Sequence, residues 1–169
     1  MDIPSNVAEL TELFEKFGAR EPESWATSQI KEKIPQLQRY LFLRQAWKCV
    51  LAEDNVKWID RQIQESENRP NGPFAGVGAA LKRAVLAGVS RQDLTDIARG
   101  IQAEMLFQLC YLLDDPGFSE RELDSFGWGL FEVDENDNPI PPRIGSLHES
   151  VLETDPTGRE MRHKGSPDA

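Results

Sequence analysis

Apolar residues recur at helical spacing from the start of the chain. One face of the first predicted helix is formed by Val7, Leu10, Leu13, Phe14 and Phe17. Asn6 precedes this stripe as an N-cap, with Glu9 in the capping-box position, and Gly18 follows it as a C-terminal stop. The pattern therefore predicts a helix over residues 7–17.

Two further helical segments follow a polar break at residues 21–24. The first runs from Trp25 to Lys33, and Pro35 ends it because a proline ring clashes with the preceding turn. From Gln36 to about Glu67 a wide apolar stripe continues past the polar step at residues 53–55. We therefore expect one long helical region there, closed by the turn-rich loop of residues 68–73.

The next segments predict a helical hairpin over residues 76–113. Residues 76–87 form its first helix and Gly88 ends it, after which Ser90 caps the second helix, with Asp93 in the capping-box position. The second helix extends to residue 114 and is the most hydrophobic in the chain. We expect a packed αα-hairpin whose second helix lies at the centre of the molecule.

The pattern changes after residue 117. Residues 128–133 favour a strand, 134–139 a turn and 140–144 a proline-limited edge strand. The sequence thus predicts a mainly α fold of about five packed helices with a small C-terminal β-hairpin. Residues 1–117 form the predicted helical core, 118–160 an acidic extension packed on it, and 161–169 a disordered tail.

The net charge of −10 is concentrated near the C-terminus. Residues 1–114 carry 16 acids and 14 bases, a net charge of −2, whereas residues 115–160 carry 12 acids and 3 bases, a net charge of −9. An acidic balance argues against a general nucleic-acid or anionic-membrane binder. Two distant cysteines, no signal peptide and no long apolar run indicate a cytoplasmic protein without disulfides.

The acidic extension interleaves carboxylates with aromatic residues, as a surface for a basic protein partner would. The predicted binding residues are Phe126, Trp128, Phe131, Glu132, Asp134, Glu135 and Asp137. We expect a non-enzymatic interaction protein without a cofactor. An inhibitor or immunity protein of a nucleic-acid-cleaving enzyme is one concrete form, because the active site of such an enzyme is cationic. The broad apolar stripes also allow a homodimer.

Two alternatives remain open. A metal-dependent enzyme would use the histidines and carboxylates of residues 148–163, with His148, Glu149, Glu160 and His163 as candidate ligands. A DNA-binding regulator would use the helical hairpin, which carries Lys82, Arg83, Arg91 and Arg99. The sequence contains no nucleophile motif, and its glycines at 72, 76 and 78 do not follow a strand as a dinucleotide fingerprint requires.

Overall fold

A computed structural model describes residues 3–162 and confirms the predicted mainly α fold with a small β-hairpin. Within these residues, none of the helices is long and apolar enough to cross a membrane. The helices are α1 (Val7–Phe17), α2 (Pro22–Glu32), α3 (Gln36–Ala46), α4 (Trp58–Asn68), α5 (Ala75–Leu86), α6 (Arg91–Asp114) and α7 (Leu147–Ser150). The strands β1 (Leu130–Val133) and β2 (Pro139–Ile144) form the hairpin.

Contacts between residues divide the chain into two compact units. The first contains residues 1–48 and 105–169, and the second contains residues 49–104. The acidic segment therefore belongs to the same unit as the N-terminal helices. The boundary predicted at residue 117 was drawn from composition and stays a prediction.

The core of the first unit is built by α1, α2 and α3. Asn6 accepts a hydrogen bond from the N–H of Glu9 at 3.0 Å, and Gly18 ends α1 in the left-handed conformation with φ of 86°. These predicted caps fix the two ends of α1, whose apolar face packs against its neighbours. The buried residues of this core are Leu10, Phe14, Trp25, Ala26, Leu37 and Tyr40.

Three of these residues form a buried aromatic triad: Phe14, Trp25 and Tyr40. Their ring centroids are 5.6–6.0 Å apart, and Tyr40 meets the other two rings edge to face. The Tyr40 hydroxyl donates to the carbonyl oxygen of Phe17 at 3.1 Å, so its polar atom is satisfied inside the core. Burial raises the pKa of this hydroxyl above its ordinary value.

The single helical region predicted over residues 36–67 is wrong. A 3₁₀ turn at Trp47–Cys49 follows α3, and the chain stays irregular until α4 begins at Trp58. The backbone at Leu51 is satisfied by side chains instead of helical partners: its N–H donates to Gln102 Oε1 at 2.8 Å, and its carbonyl accepts from Arg99 at 2.6 Å. Because an apolar stripe continues on both sides of this break, periodicity alone did not reveal it.

In the second unit, α5 packs closely on α4. A Cβ atom at Gly78 would come within 2.5 Å of Ser66 Cβ and would overlap the carbonyl of Gln62. Only a glycine therefore allows the two helices to approach this closely. The helices α4 and α5 form a close pair, and α5 is followed, after a turn at Gly88, by α6, in the order that the hairpin prediction gave.

The helix α6 has an inverted distribution of side chains. Its buried positions include Thr95 and Arg99, while Trp58 Nε1 donates to Thr95 Oγ1 at 2.9 Å. The apolar residues Ile97, Ile101, Met105 and Leu109, called here the α6 ridge, are 58%, 60%, 56% and 50% exposed. The expectation that α6 is central is therefore wrong for this face. The buried face of α6 in the second unit combines the hydrogen-bonded Thr95 and Arg99 with the apolar Ala103.

The C-terminal segment of residues 145–162 is folded although its sequence shows little periodicity. Leu147 and Val151 are fully buried, and Trp47 Nε1 donates to the carbonyl of Val151 at 2.9 Å. Arg20 donates to the carbonyls of Glu153 and Gly158. Of the predicted tail, residues 161 and 162 belong to this segment, and residues 163–169 lie outside the described residues.

Candidate functional site

Three aromatic side chains near the start of the acidic segment contact each other on the surface. The rings of Phe118, Phe126 and Trp128, called here the exposed aromatic cluster, have centroids 5.5–6.3 Å apart in edge-to-face arrangements. They remain 38%, 58% and 37% exposed. Trp128 Nε1 donates to the carbonyl of Leu112 at 2.6 Å, which fixes the cluster to the C-terminal end of α6.

The contact between Phe118 and Phe126 closes a loop of residues 119–125, called here the acidic loop. Glu120, Glu122 and Asp124 are exposed in it, together with one base, Arg121. A 3₁₀ turn at Arg121–Leu123 holds the loop, and the N–H of Phe126 donates to the carbonyl of Leu123 at 2.8 Å. The fold thus sets three exposed carboxylates between two exposed phenyl rings.

Arg143, on β2, attaches the β-hairpin to the C-terminal end of α6. Leu130 pairs with Ile144 and Glu132 with Ile140, and the register is irregular between these pairs. Arg143 Nη2 donates to the carbonyl of Leu113 at 2.7 Å and also to that of Asp114. A cation is favourable at this position because the last carbonyls of a helix carry partial negative charge. Arg143 therefore joins the β-hairpin to the C-terminal end of α6.

Asp134 has a structural part in the hairpin turn. Its Oδ1 atom accepts hydrogen bonds from the N–H groups of Asn136 and Asn138 at 2.8 and 2.9 Å, and the Asn138 side chain also donates to this carboxylate. These hydrogen bonds lower the pKa of Asp134, which therefore stays charged to lower pH than an ordinary aspartate. Glu135 and Asp137 are exposed in the same turn.

The remaining predicted binding residues lie on β1. Glu132 is exposed and accepts a hydrogen bond from Gln38 Nε2 on α3 at 3.0 Å. Phe131 is 37% exposed. The structure thus joins Phe126 and Trp128 in one cluster and places Glu132, Asp134, Glu135 and Asp137 on the hairpin.

The candidate metal ligands do not form a metal site within residues 3–162. No group of three or more histidine, cysteine or carboxylate side chains there is placed to hold an ion. His148 Nδ1 lies 2.7 Å from Asp114 Oδ2, and Glu160 is paired with Arg162 at 2.8 Å. Glu149 is exposed, and His163 lies outside the described residues.

The contact between His148 and Asp114 belongs to a partly buried polar group that the sequence did not predict. The edges and faces of Phe107 and Tyr111 pack against the imidazole ring, with centroids 6.0 and 5.0 Å away. Burial lowers the pKa of the nearby Arg39, while the carboxylates of Glu149, Asp114 and Glu153 act in the opposite direction. These contacts attach the C-terminal segment to α6, which gives His148 a structural role.

The basic residues of the region predicted as a DNA-binding hairpin have internal partners. Lys82 pairs with Glu67 at 2.6 Å, and Arg91 pairs with Asp60 at 2.7 Å. Arg99 is buried, whereas Arg83 is exposed. Carboxylates of α4 thus offset two of the four positive charges, and burial removes a third from the surface. This reduces the attraction that a phosphate backbone would feel.

Sequence reasoning placed the binding face within residues 118–160 and included Phe118 among its aromatic residues, but the seven binding residues it singled out contain neither Phe118 nor the carboxylates of the acidic loop. The available signal was the alternation of acidic and aromatic residues from 118 to 128, but the meeting of Phe118 with Trp128 depends on the tertiary fold. None of the family models, curated proteins and solved structures compared with this chain gives a significant match.

Proposed function

We propose that this chain is a non-enzymatic interaction protein that binds a cationic surface of another protein through the exposed aromatic cluster and the acidic loop. The exposed cluster carries the proposal. Three large aromatic rings that pack on each other yet remain more than one third exposed are suited to anchor a partner, because aromatic residues supply much of the binding energy at interfaces.

The surrounding charge supports a basic partner. Residues 115–160 carry a net charge of −9, and one of their three bases, Arg143, is engaged with the carbonyls at the end of α6. Acidic surfaces attract cationic partners over a distance and exclude like-charged ones. An inhibitor of a nucleic-acid-cleaving enzyme is the concrete form that we favour, since such an enzyme has a cationic active site to block.

A cytoplasmic location is part of the same proposal. The two cysteines are free, with Cys49 exposed and Cys110 buried. An exposed thiol without a disulfide partner suits a reducing compartment.

The decisive experiment measures affinity for a partner isolated by photocrosslinking from a photoreactive amino acid at position 126. The purified partner is then titrated against Phe126→Ala and Trp128→Ala. Loss of a central aromatic anchor weakens such complexes by about tenfold or more. Because both residues are exposed, we expect the variants to remain folded by circular dichroism.

The charge contribution is tested with two matched triple variants. E120Q/E122Q/D124N removes the charges of the acidic loop, and E12Q/E15Q/E23Q removes three exposed charges from α1 and α2. We expect the first variant, and not the second, to weaken binding and to flatten its dependence on salt. A third variant, E132Q/E135Q/D137N, tests the hairpin in the same way. Equal affinity of the wild-type chain, F126A and W128A for the partner would overturn the proposal.

A further inference from the structure

The α6 ridge is a second exposed surface that the proposed binding site does not use. Its four side chains are spaced four residues apart on one uninterrupted helix, so the helix itself fixes their alignment. Leu112, 44% exposed, extends the same face. This face holds the large apolar side chains of α6, whereas the buried positions of the same helix are occupied by Thr95, Arg99, Ala103 and Cys110, so α6 departs from ordinary amphipathic order.

We infer that the α6 ridge is the contact between two copies of this chain. Residues spaced by four form the ridges that interdigitate in the commonest class of helix packing, with helix axes crossing at about −50°. The same ridge on a second copy can pack in this way. With a two-fold axis between Ile101 and Met105, Ile101 of each copy would contact Met105 of the other. Such an interface is closed and self-complementary.

The exposed area agrees with a dimer of ordinary size. At about half exposure, each of the five side chains offers on the order of 100 Å², so the face offers roughly 500 Å² of apolar surface per copy. A standard interface buries about 800 Å² per partner, of which about 57–65% is apolar. A dimer of this size would thus bury roughly 450–520 Å² of apolar surface per copy, which corresponds to nearly all of the exposed apolar area of this face.

The charge of the face selects a second copy over a basic partner. Between Ile97 and Leu112 the exposed positions carry one ionised residue, Glu104, together with Gln108. A face with so little charge does not attract a cationic protein, and the polar pair suits the rim of an apolar interface. Each copy carries a net charge of −10, so the copies repel each other until salt screens them. Dimerisation should therefore strengthen as salt rises, whereas capture of a basic partner should weaken.

Sedimentation velocity of the full chain, over a concentration series at low and high salt, tests this inference. We expect a reversible rise to twice the mass of the chain, at lower concentration in high salt. I101K/M105K should weaken dimerisation by about tenfold or more, because charged ammonium groups would be desolvated in the contact. The matched control L86K/V89K adds the same charge at two other exposed apolar positions and should leave dimerisation within about twofold of wild type.

Circular dichroism of each variant shows whether α6 remains helical. If I101K/M105K loses helicity, the uncharged and helix-favouring M105Q replaces it, with an expected weakening of a fewfold. A single-chain mass at every concentration and salt would overturn the inference. It would also be overturned if L86K/V89K weakened dimerisation as much as I101K/M105K, or if high salt dissociated the dimer.

Discussion

The molecule contains two groups of three aromatic rings with similar internal geometry and opposite exposure. In the buried aromatic triad of Phe14, Trp25 and Tyr40 the centroids are 5.6–6.0 Å apart, and in the exposed aromatic cluster they are 5.5–6.3 Å apart. The triad is at most 7% exposed, whereas each ring of the exposed cluster is at least 37% exposed. Ring geometry alone therefore does not distinguish a core from a binding surface.

What distinguishes the two groups is the set of elements around them. Three helices surround the triad, so its rings lose nearly all of their contact with water. The exposed cluster is held from one side, by the hydrogen bond of Trp128 to the end of α6 and by the turn of the acidic loop. The apolar surface of the buried aromatic triad is covered by the chain itself, whereas the apolar surface of the exposed aromatic cluster remains available to another molecule.

The largest expected difference is in stability after truncation of one ring. Phe14→Ala removes a fully buried side chain and should lower the free energy of unfolding by about 3–5 kcal/mol, through lost burial and the cavity left behind. Phe126→Ala removes a ring that is already 58% exposed and should cost less than about 1 kcal/mol. Urea titrations followed by circular dichroism measure both values. Similar losses for the two variants would show that the exposed cluster is a second structural core.

The two cysteines extend the contrast from apolar packing to reactivity. Burial, reinforced by the charge of Asp114, raises the pKa of the Cys110 thiol to about 11. Near pH 8 roughly one such thiol in a thousand is ionised, and only the thiolate reacts with an alkylating reagent. We expect iodoacetamide to modify the exposed Cys49 in the native protein and to spare Cys110. Peptide mapping by mass spectrometry compares the two sites, and denatured protein should lose the distinction.

Because folding raises the pKa of the Cys110 thiol, this residue makes the protein less stable as the pH rises. The folded state keeps the Cys110 thiol protonated to higher pH than the unfolded state does. Its contribution to stability is therefore fully present below about pH 9 and is lost as the pH rises toward 11. Cys110→Ala should reduce this loss, as urea titrations across that range would show. A Cys110 that reacts as fast as Cys49 in the folded protein would contradict both expectations.

Local features of this structure, such as helix caps, could be predicted from the sequence better than contacts between distant residues. Asn6, Glu9 and Gly18 predicted both ends of α1, because capping depends on residues within a few positions of each other. The break after α3 was missed because its backbone groups are satisfied by Gln102 and Arg99, about fifty positions away. The same limit applies to the functional surface. Composition located the acidic segment, but the meeting of Phe118 and Trp128 required the fold.

Two glycines in helices should respond to the same substitution with changes in stability of opposite sign. Gly78→Ala places a Cβ against the backbone of Gln62, where α4 and α5 touch, and should cost about 1–3 kcal/mol through overpacking. Gly100 lies in the interior of α6, and a Cβ there would meet no atom within 4 Å. Gly100→Ala should therefore raise the free energy of unfolding by about 0.5–1 kcal/mol, because alanine loses less conformational freedom in a helix. Thermal and urea unfolding of the two variants test the sign directly.

If Gly100→Ala destabilised the isolated chain, the outer surface of α6 would be more confined than the exposed ridge indicates. A loss confined to concentrations at which the chain dimerises would instead place Gly100 at the contact between copies.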